Sequence, residues 1–171
     1  MNLANKITIF RMIMVPVFLL IVSLNIKPGI YIATAIFIIA AFSDTLDGYI
    51  ARSRNQVTNF GKFMDPLADK LIVISALVYL VEAGSIPAWV VMIIIARELA
   101  VTGLRTIAAS EGIVLAAGPW GKAKTVTQMI GIVAALLDIS FYPIIIAIAL
   151  LLTIISGVDY FVKNKKVLKI E

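Results

Sequence analysis

Neither cysteine nor histidine occurs anywhere in this chain of 171 residues. The first absence removes disulfides and thiolate metal sites. The second removes the side chain that most often moves protons near neutral pH and most often ligates transition metals. Charge is scarce as well: Asp, Glu, Lys and Arg make up 15% of the residues, where a soluble domain carries about 25%. Any chemistry must therefore run on carboxylates, lysines, arginines and hydroxyls. No internal repeat, low-complexity linker or small-residue cleavage site after the first apolar run is visible. The chain reads as a single domain over 1–171 with a retained first span.

What fills the space left by charge is hydrocarbon. Hydrophobic residues reach 61% and the mean hydropathy is +1.04, too apolar for water, so the bilayer is the expected solvent. Apolar stretches over 7–25, 29–50, 66–83, 87–109, 123–140 and 142–161 each approach the roughly 20 residues that cross a membrane as a helix. The predicted fold is all-α and polytopic, with six transmembrane helices. Their breaks carry turn residues, as at Lys27-Pro28-Gly29, Gly84 to Pro87, Gly118-Pro119 and Asp138 to Pro143. Pro16 falls inside the first span and should kink it. With six spans, Lys6, Arg11, Arg52, Arg54, Lys62, Lys122, Lys124, Lys163, Lys165, Lys166 and Lys169 gather near one side, and the opposite loops hold only Lys27. The positive-inside bias then puts both termini in the cytoplasm of a multi-pass cell-membrane protein. The net charge of +5 marks cytoplasmic loops and an anionic lipid surface rather than a nucleic-acid partner.

Acidic residues number ten, and Asp44, Asp47, Asp65 and Asp69 cluster where the second and third spans approach each other in sequence. Carboxylates at membrane depth cost a few kcal/mol each. A solvated helix end whose acids pair with Arg52 and Lys70 would account for one of them, but poorly for a set at helical spacing. Asp44, Asp47, Gly48, Ala51 and Arg52 share one helical face, as do Asp65 and Asp69, with Gly61 one turn before. Pro66 is expected in the first turn of the third span. A tight link would bring the two faces together, and the acids would repel unless cations sat between them. Oxygen donors alone select hard ions, Mg²⁺ first and Mn²⁺ or Ca²⁺ behind it. Gly48 and Gly61 would let a bulky ligand approach the backbone.

These residues carry a resemblance. Asp44-Thr45-Leu46-Asp47-Gly48-Tyr49-Ile50-Ala51-Arg52, a spacer, then Gly61-Lys62-Phe63-Met64-Asp65-Pro66-Leu67-Ala68-Asp69 resembles the CDP-alcohol phosphatidyltransferase signature at every defined position and in its spacing. The resemblance implies six spans and a phosphatidyl transfer from CDP-diacylglycerol to a small alcohol. It implies two divalent ions, Mg²⁺ with Mn²⁺ as substitute, on Asp44, Asp47 and Asp65, with Asp69 as general base and further metal contact. It also implies that Gly48, Arg52 and Thr58 contact the nucleotide, joined by Asn5, Thr8 and Arg11 from the family's Asn-x-x-Thr-x-x-Arg, and that the protein is a homodimer.

The acceptor depends on later residues. Arg97 and Glu98 fall mid-helix in the fourth span, where a charge needs a partner or a cavity. Arg105 lies eight residues further on, on roughly the same face, and Lys122 and Lys124 sit at the start of the fifth apolar run. The lysines could merely snorkel. Together with Arg105, and with Arg97 as a further candidate, they would suit a phosphorylated acceptor. The segments around Arg97–Arg105 and Gly121–Gln128 look like those of the bacterial branch of the family that makes phosphatidylglycerophosphate, which implies sn-glycerol 3-phosphate. Inositol phosphate, serine or phosphatidylglycerol as acceptor is the alternative within the same chemistry. A small cation transporter would also place acids in a six-span bundle, but should show broken spans or inverted repeats and a midplane site.

Overall fold

The computed structural model describes residues 3–24, 26–53, 59–116 and 118–168. They form α1 (Leu3–Ser23), α2 (Lys27–Ser53), α3 (Asn59–Glu82), α4 (Ala88–Ser110), α5 (Pro119–Leu136), α6 (Tyr142–Lys163) and a closing 3-10 turn over Lys165–Leu168. No strand occurs among the described residues, as the apolar runs predict. Within α1, Asn5–Ser23 is long and apolar enough to cross a membrane, as is α6, and Pro28–Ser43 of α2 is apolar but shorter.

The helices stop where the sequence supplies a backbone reason. Past the end of α3, Gly84 adopts φ 72°. Its N–H donates to the Val81 carbonyl at 3.0 Å while the Ser85 N–H donates to that of Leu80 at 2.9 Å. This Schellman arrangement needs a left-handed residue, which glycine adopts without a Cβ penalty. Gly112, at φ 76°, closes α4 in the same way, with Ile113 N–H bonded to the Ala108 carbonyl at 2.8 Å. Pro119 opens α5, where its missing N–H costs nothing.

The helices and the expected spans differ most at the polar ends. α2 continues to Ser53, and α3 begins at Asn59 rather than near 66. Pro66 is therefore not in a first turn. It lies two turns inside α3, where it has no N–H to give the carbonyl of residue 62. α5 likewise starts at Pro119 rather than 123. Hydropathy locates the hydrocarbon-facing length of a helix, whereas hydrogen bonding carries the helix on past it.

The chain divides into two compact units, one of Met1–Ser85 with Ala135–Ile139, the other of Ile86–Ala134 with Ser140–Glu171. In the first, α1 packs on α2 and α3, and these pack on each other. Ala33, Phe37 and Ala40 of α2 and Ala68, Ile72, Ala76 and Leu80 of α3 are buried. The alanines allow the close backbone approach that membrane helices rely on. Phe18 meets Tyr79 edge to face with ring centroids 6.5 Å apart. In the second unit, α4 packs on α6 and the 3-10 turn returns onto α4. There Val101, Leu104, Ala108, Tyr160 and Val167 form a buried cluster. A Cβ on Gly131 of α5 would lie 2.8 Å from Ile146 Cδ1 of α6, so only glycine fits there without a shift.

Polarity is distributed as a lipid solvent demands. Leu20, Tyr31, Phe42, Trp89 and Val158 are exposed, whereas Thr8, Arg11, Lys124, Gln128, Thr153 and Ser156 are buried. Many large apolar side chains thus face outward while several hydrogen-bonding groups face inward.

Candidate active site

Two consecutive helices carry the acidic signature. Asp44, Asp47, Gly48, Ala51 and Arg52 occupy the last turns of α2, and Gly61, Asp65 and Asp69 the first turns of α3. The two helices pack against each other, and residues 54–58 between them, including Thr58, lie outside the described residues. The side chains of Asp44, Asp47, Gly48, Arg52 and Asp65 also lie outside the description, and their backbones are helical. The acid-bearing stretches therefore belong to two helices that pack on each other, on either side of residues 54–58.

Asp69 is described in full. Its carboxylate is about one-third exposed, and the Lys70 Nζ donates to both oxygens, at 3.3 Å and 3.4 Å. α1 brings Asn5, Thr8 and Arg11 to the same unit, with Thr8 and Arg11 fully buried and each of the three engaged in interactions. A guanidinium buried completely in an apolar bundle is tolerable only with such partners. The donor set offered by Asp44, Asp47, Asp65 and Asp69 is all carboxylate oxygen, which fits hard divalent ions. A cleft of about 460 Å³ bordered by Leu19, Val22, Tyr79 and Glu82 lies at the other ends of α1 and α3 and takes no part in this site.

The basic residues of the second unit separate into two groups. Arg97 and Lys124 converge on Glu98. Arg97 Nη1 donates to Glu98 Oε1 at 3.1 Å, and Lys124 Nζ, on a residue only 3% exposed, donates to the same oxygen. Arg97 Nη2 reaches Ser156 Oγ of α6 at 3.1 Å. Its path is walled by glycines, since a Cβ on Gly157 would lie 3.1 Å from Arg97 Cγ and one on Gly121 3.9 Å from Nη2. Arg105 stands apart from this cluster. Its Nε donates to Tyr160 Oη at 2.9 Å, and its guanidinium carbon lies 5.3 Å from the centre of the Tyr160 ring. Lys122 is exposed and has no ion pair among the described residues.

Ser156, Gly157 and Tyr160 were not singled out from sequence. Their signal was available: Thr153, Ser156, Gly157 and Tyr160 recur at i, i+3, i+4 and i+7 along an otherwise apolar helix, a polar stripe with helical period.

The Glu98 cluster has a direct consequence for stability. Lys124 is buried and Glu98 part-buried, and removing one partner of an ion pair costs up to about 3–5 kcal/mol when the pair is fully buried. Glu98→Ala should lower the thermal unfolding midpoint in detergent sharply, because it leaves both Lys124 and Arg97 without that carboxylate. An unchanged midpoint would mean that the cluster does not hold the second unit together.

The chain is similar to known proteins along nearly its whole length. The family model described as CDP-alcohol phosphatidyltransferase matches residues 1–155. The CDP-diacylglycerol--glycerol-3-phosphate 3-phosphatidyltransferase of Bacillus subtilis (strain 168) is 44% identical, with 98% of this chain and 97% of the relative covered. The protein of the same name from Haemophilus influenzae is 41% identical over 93% of this chain and 91% of its own length. A probable phosphatidylglycerophosphate synthase of Mycobacterium tuberculosis is also 41% identical, over 93% and 79% respectively. With its signature residues carried on adjoining turns of α2 and α3, the chain belongs to the CDP-alcohol phosphatidyltransferase family.

Proposed function

We propose that this protein transfers the phosphatidyl group of CDP-diacylglycerol to sn-glycerol 3-phosphate, giving phosphatidylglycerophosphate and CMP. The observation that carries the reading is the complete acidic signature on two packed helices, in a chain that matches full-length relatives bearing that activity's name. Asp44, Asp47, Asp65 and Asp69 would hold two divalent ions, Mg²⁺ in preference and Mn²⁺ as substitute. Such ions, when bound, would supply charge neutralisation at the diphosphate and a template for the attacking hydroxyl.

The chain's own residues do the rest. Asn5, Thr8, Gly48, Arg52 and Thr58, with Asp44, bind and orient the CDP-lipid. Asp69 accepts the proton of the acceptor hydroxyl as its oxygen bonds to the phosphatidyl phosphorus and the bond from that phosphorus to CMP breaks. A carboxylate is too weak a base to ionise a free alcohol beforehand, but it suffices once the new bond is forming. Arg105, Lys122, Lys124 and Arg97 recognise the acceptor phosphate. Arg105 and Lys122 carry charge uncommitted to any carboxylate among the described residues, whereas Lys124 and Arg97 share theirs with Glu98. A phosphate dianion recruits such cations, and a neutral polyol would leave them repelling.

In this reading all six helices span the bilayer as a single domain over 1–171, both termini and the signature face the cytoplasm, and the protein works as a homodimer. The support for the orientation is the one-sided distribution of Lys and Arg.

Purified protein should release CMP from CDP-diacylglycerol only when glycerol 3-phosphate and a divalent cation are present. Asp69→Asn, which keeps size and removes charge, should lower turnover by about 10²-fold or more while CDP-lipid binding persists. Full activity in that variant would remove the base assignment. Equal rates with serine or inositol phosphate would overturn the acceptor.

The topology is checked separately, since the absence of native cysteine allows single introduced thiols. In intact cells an impermeant reagent should label Ala83→Cys and Ser140→Cys, but not Ser110→Cys or Lys165→Cys. Labelling of the second pair from outside would reverse the orientation.

A further inference from the structure

We propose that Tyr160 is the positioning residue for Arg105, fixing which edge of the guanidinium is presented to the acceptor phosphate. The inference rests on the reading of Arg105 as a ligand of that phosphate. An arginine can grip a phosphate end-on through Nη1 and Nη2 or side-on through Nε and one Nη. Here Nε is already spent on Tyr160 Oη at 2.9 Å, so the side-on edge is closed. Among the described residues Nη1 and Nη2 carry no hydrogen bond, so the end-on fork is open. The ring adds a second restraint, with the Arg105 guanidinium carbon 5.3 Å from its centre, within the range of cation–π attraction.

The tyrosine itself is held firmly. It is 7% exposed and packs with Val101, Leu104, Ala108 and Val167. Val167 belongs to the 3-10 turn that folds back on α4. Arg105, by contrast, is exposed and would otherwise sample many rotamers. Ordering a long side chain in advance lowers the entropy lost when the ligand arrives. A lysine at 105 would carry the charge without a fork to orient, so the Tyr160 hydroxyl can orient a phosphate grip only beside an arginine.

The test is a double-mutant cycle on steady-state kinetics of the full chain. Tyr160→Phe keeps the ring and removes the hydroxyl. It should raise the KM for glycerol 3-phosphate about two- to tenfold, the span of one net hydrogen bond, and leave the KM for CDP-diacylglycerol unchanged. In an Arg105→Ala or Arg105→Lys background the same substitution should add nothing. If Tyr160→Phe raises the KM equally in those backgrounds, Tyr160 acts elsewhere and the proposal fails. Should Tyr160→Phe not fold, Arg105→Lys probes the bond from its other end and should raise the acceptor KM as Arg105→Ala does. An Arg105→Lys enzyme with the acceptor KM of the parent would overturn the proposal. An unchanged acceptor KM in Arg105→Ala would overturn both this inference and the phosphate assignment of Arg105. Release of CMP in that same assay would still report whether phosphatidyl transfer itself stands.

Discussion

A charge surrounded by hydrocarbon must have its counter-charge supplied with it, and this constraint explains most of what is unusual in the chain. Insertion scales put the penalty for a lone carboxylate or guanidinium at the centre of a span at a few kcal/mol. Such residues are tolerated where they are matched. Glu98 is matched by Lys124 and Arg97. Arg11, fully buried in the first unit, is not left alone either. Asp44, Asp47, Asp65 and Asp69 present the same demand in larger form, with one described lysine, Lys70, beside the last of them. Divalent ions, which this family generally uses, are a matching charge for them.

The two units answer the constraint differently. In the first, small residues let α1, α2 and α3 close tightly, leaving the acids to the polar ends of α2 and α3. In the second, the charges lie within the packing itself, and α6 provides Ser156, Gly157 and Tyr160 to receive the arginines of α4. Two arginines on one helix thus acquire different characters. Arg97 is a part-buried element of an ion-pair cluster, and Arg105 is an exposed group with one edge pinned.

Much of this was legible in the sequence. Composition pointed to a lipid solvent, the missing cysteine and histidine left carboxylates, lysines, arginines and hydroxyls for any chemistry, and helical spacing put the acids on two faces. What hydropathy could not read was where α3 starts, because Asn59, Lys62 and Asp65 interrupt the apolar residues there and put the segment outside the apolar run while it remains helical. The pairing of Lys124 with Glu98 was equally hidden, since a lysine near a helix start looks the same whether it snorkels or turns inward. Tyr160 escaped notice because a tyrosine near the end of a span reads as an interfacial anchor. Its hydrogen bond to Arg105 crosses 55 residues, and no local pattern encodes that distance.

The central claim is that the four carboxylates form a site for divalent ions, and metal binding to the purified protein tests it without reference to turnover. Titration with Mn²⁺, followed by the loss of its free electron-spin-resonance signal, should show two ions bound per chain in the presence of a CDP-lipid. Asp44→Asn and Asp65→Asn should each abolish or strongly weaken that binding, whereas Lys122→Gln should not. Manganese binding that survives both aspartate substitutions unaltered would contradict the account.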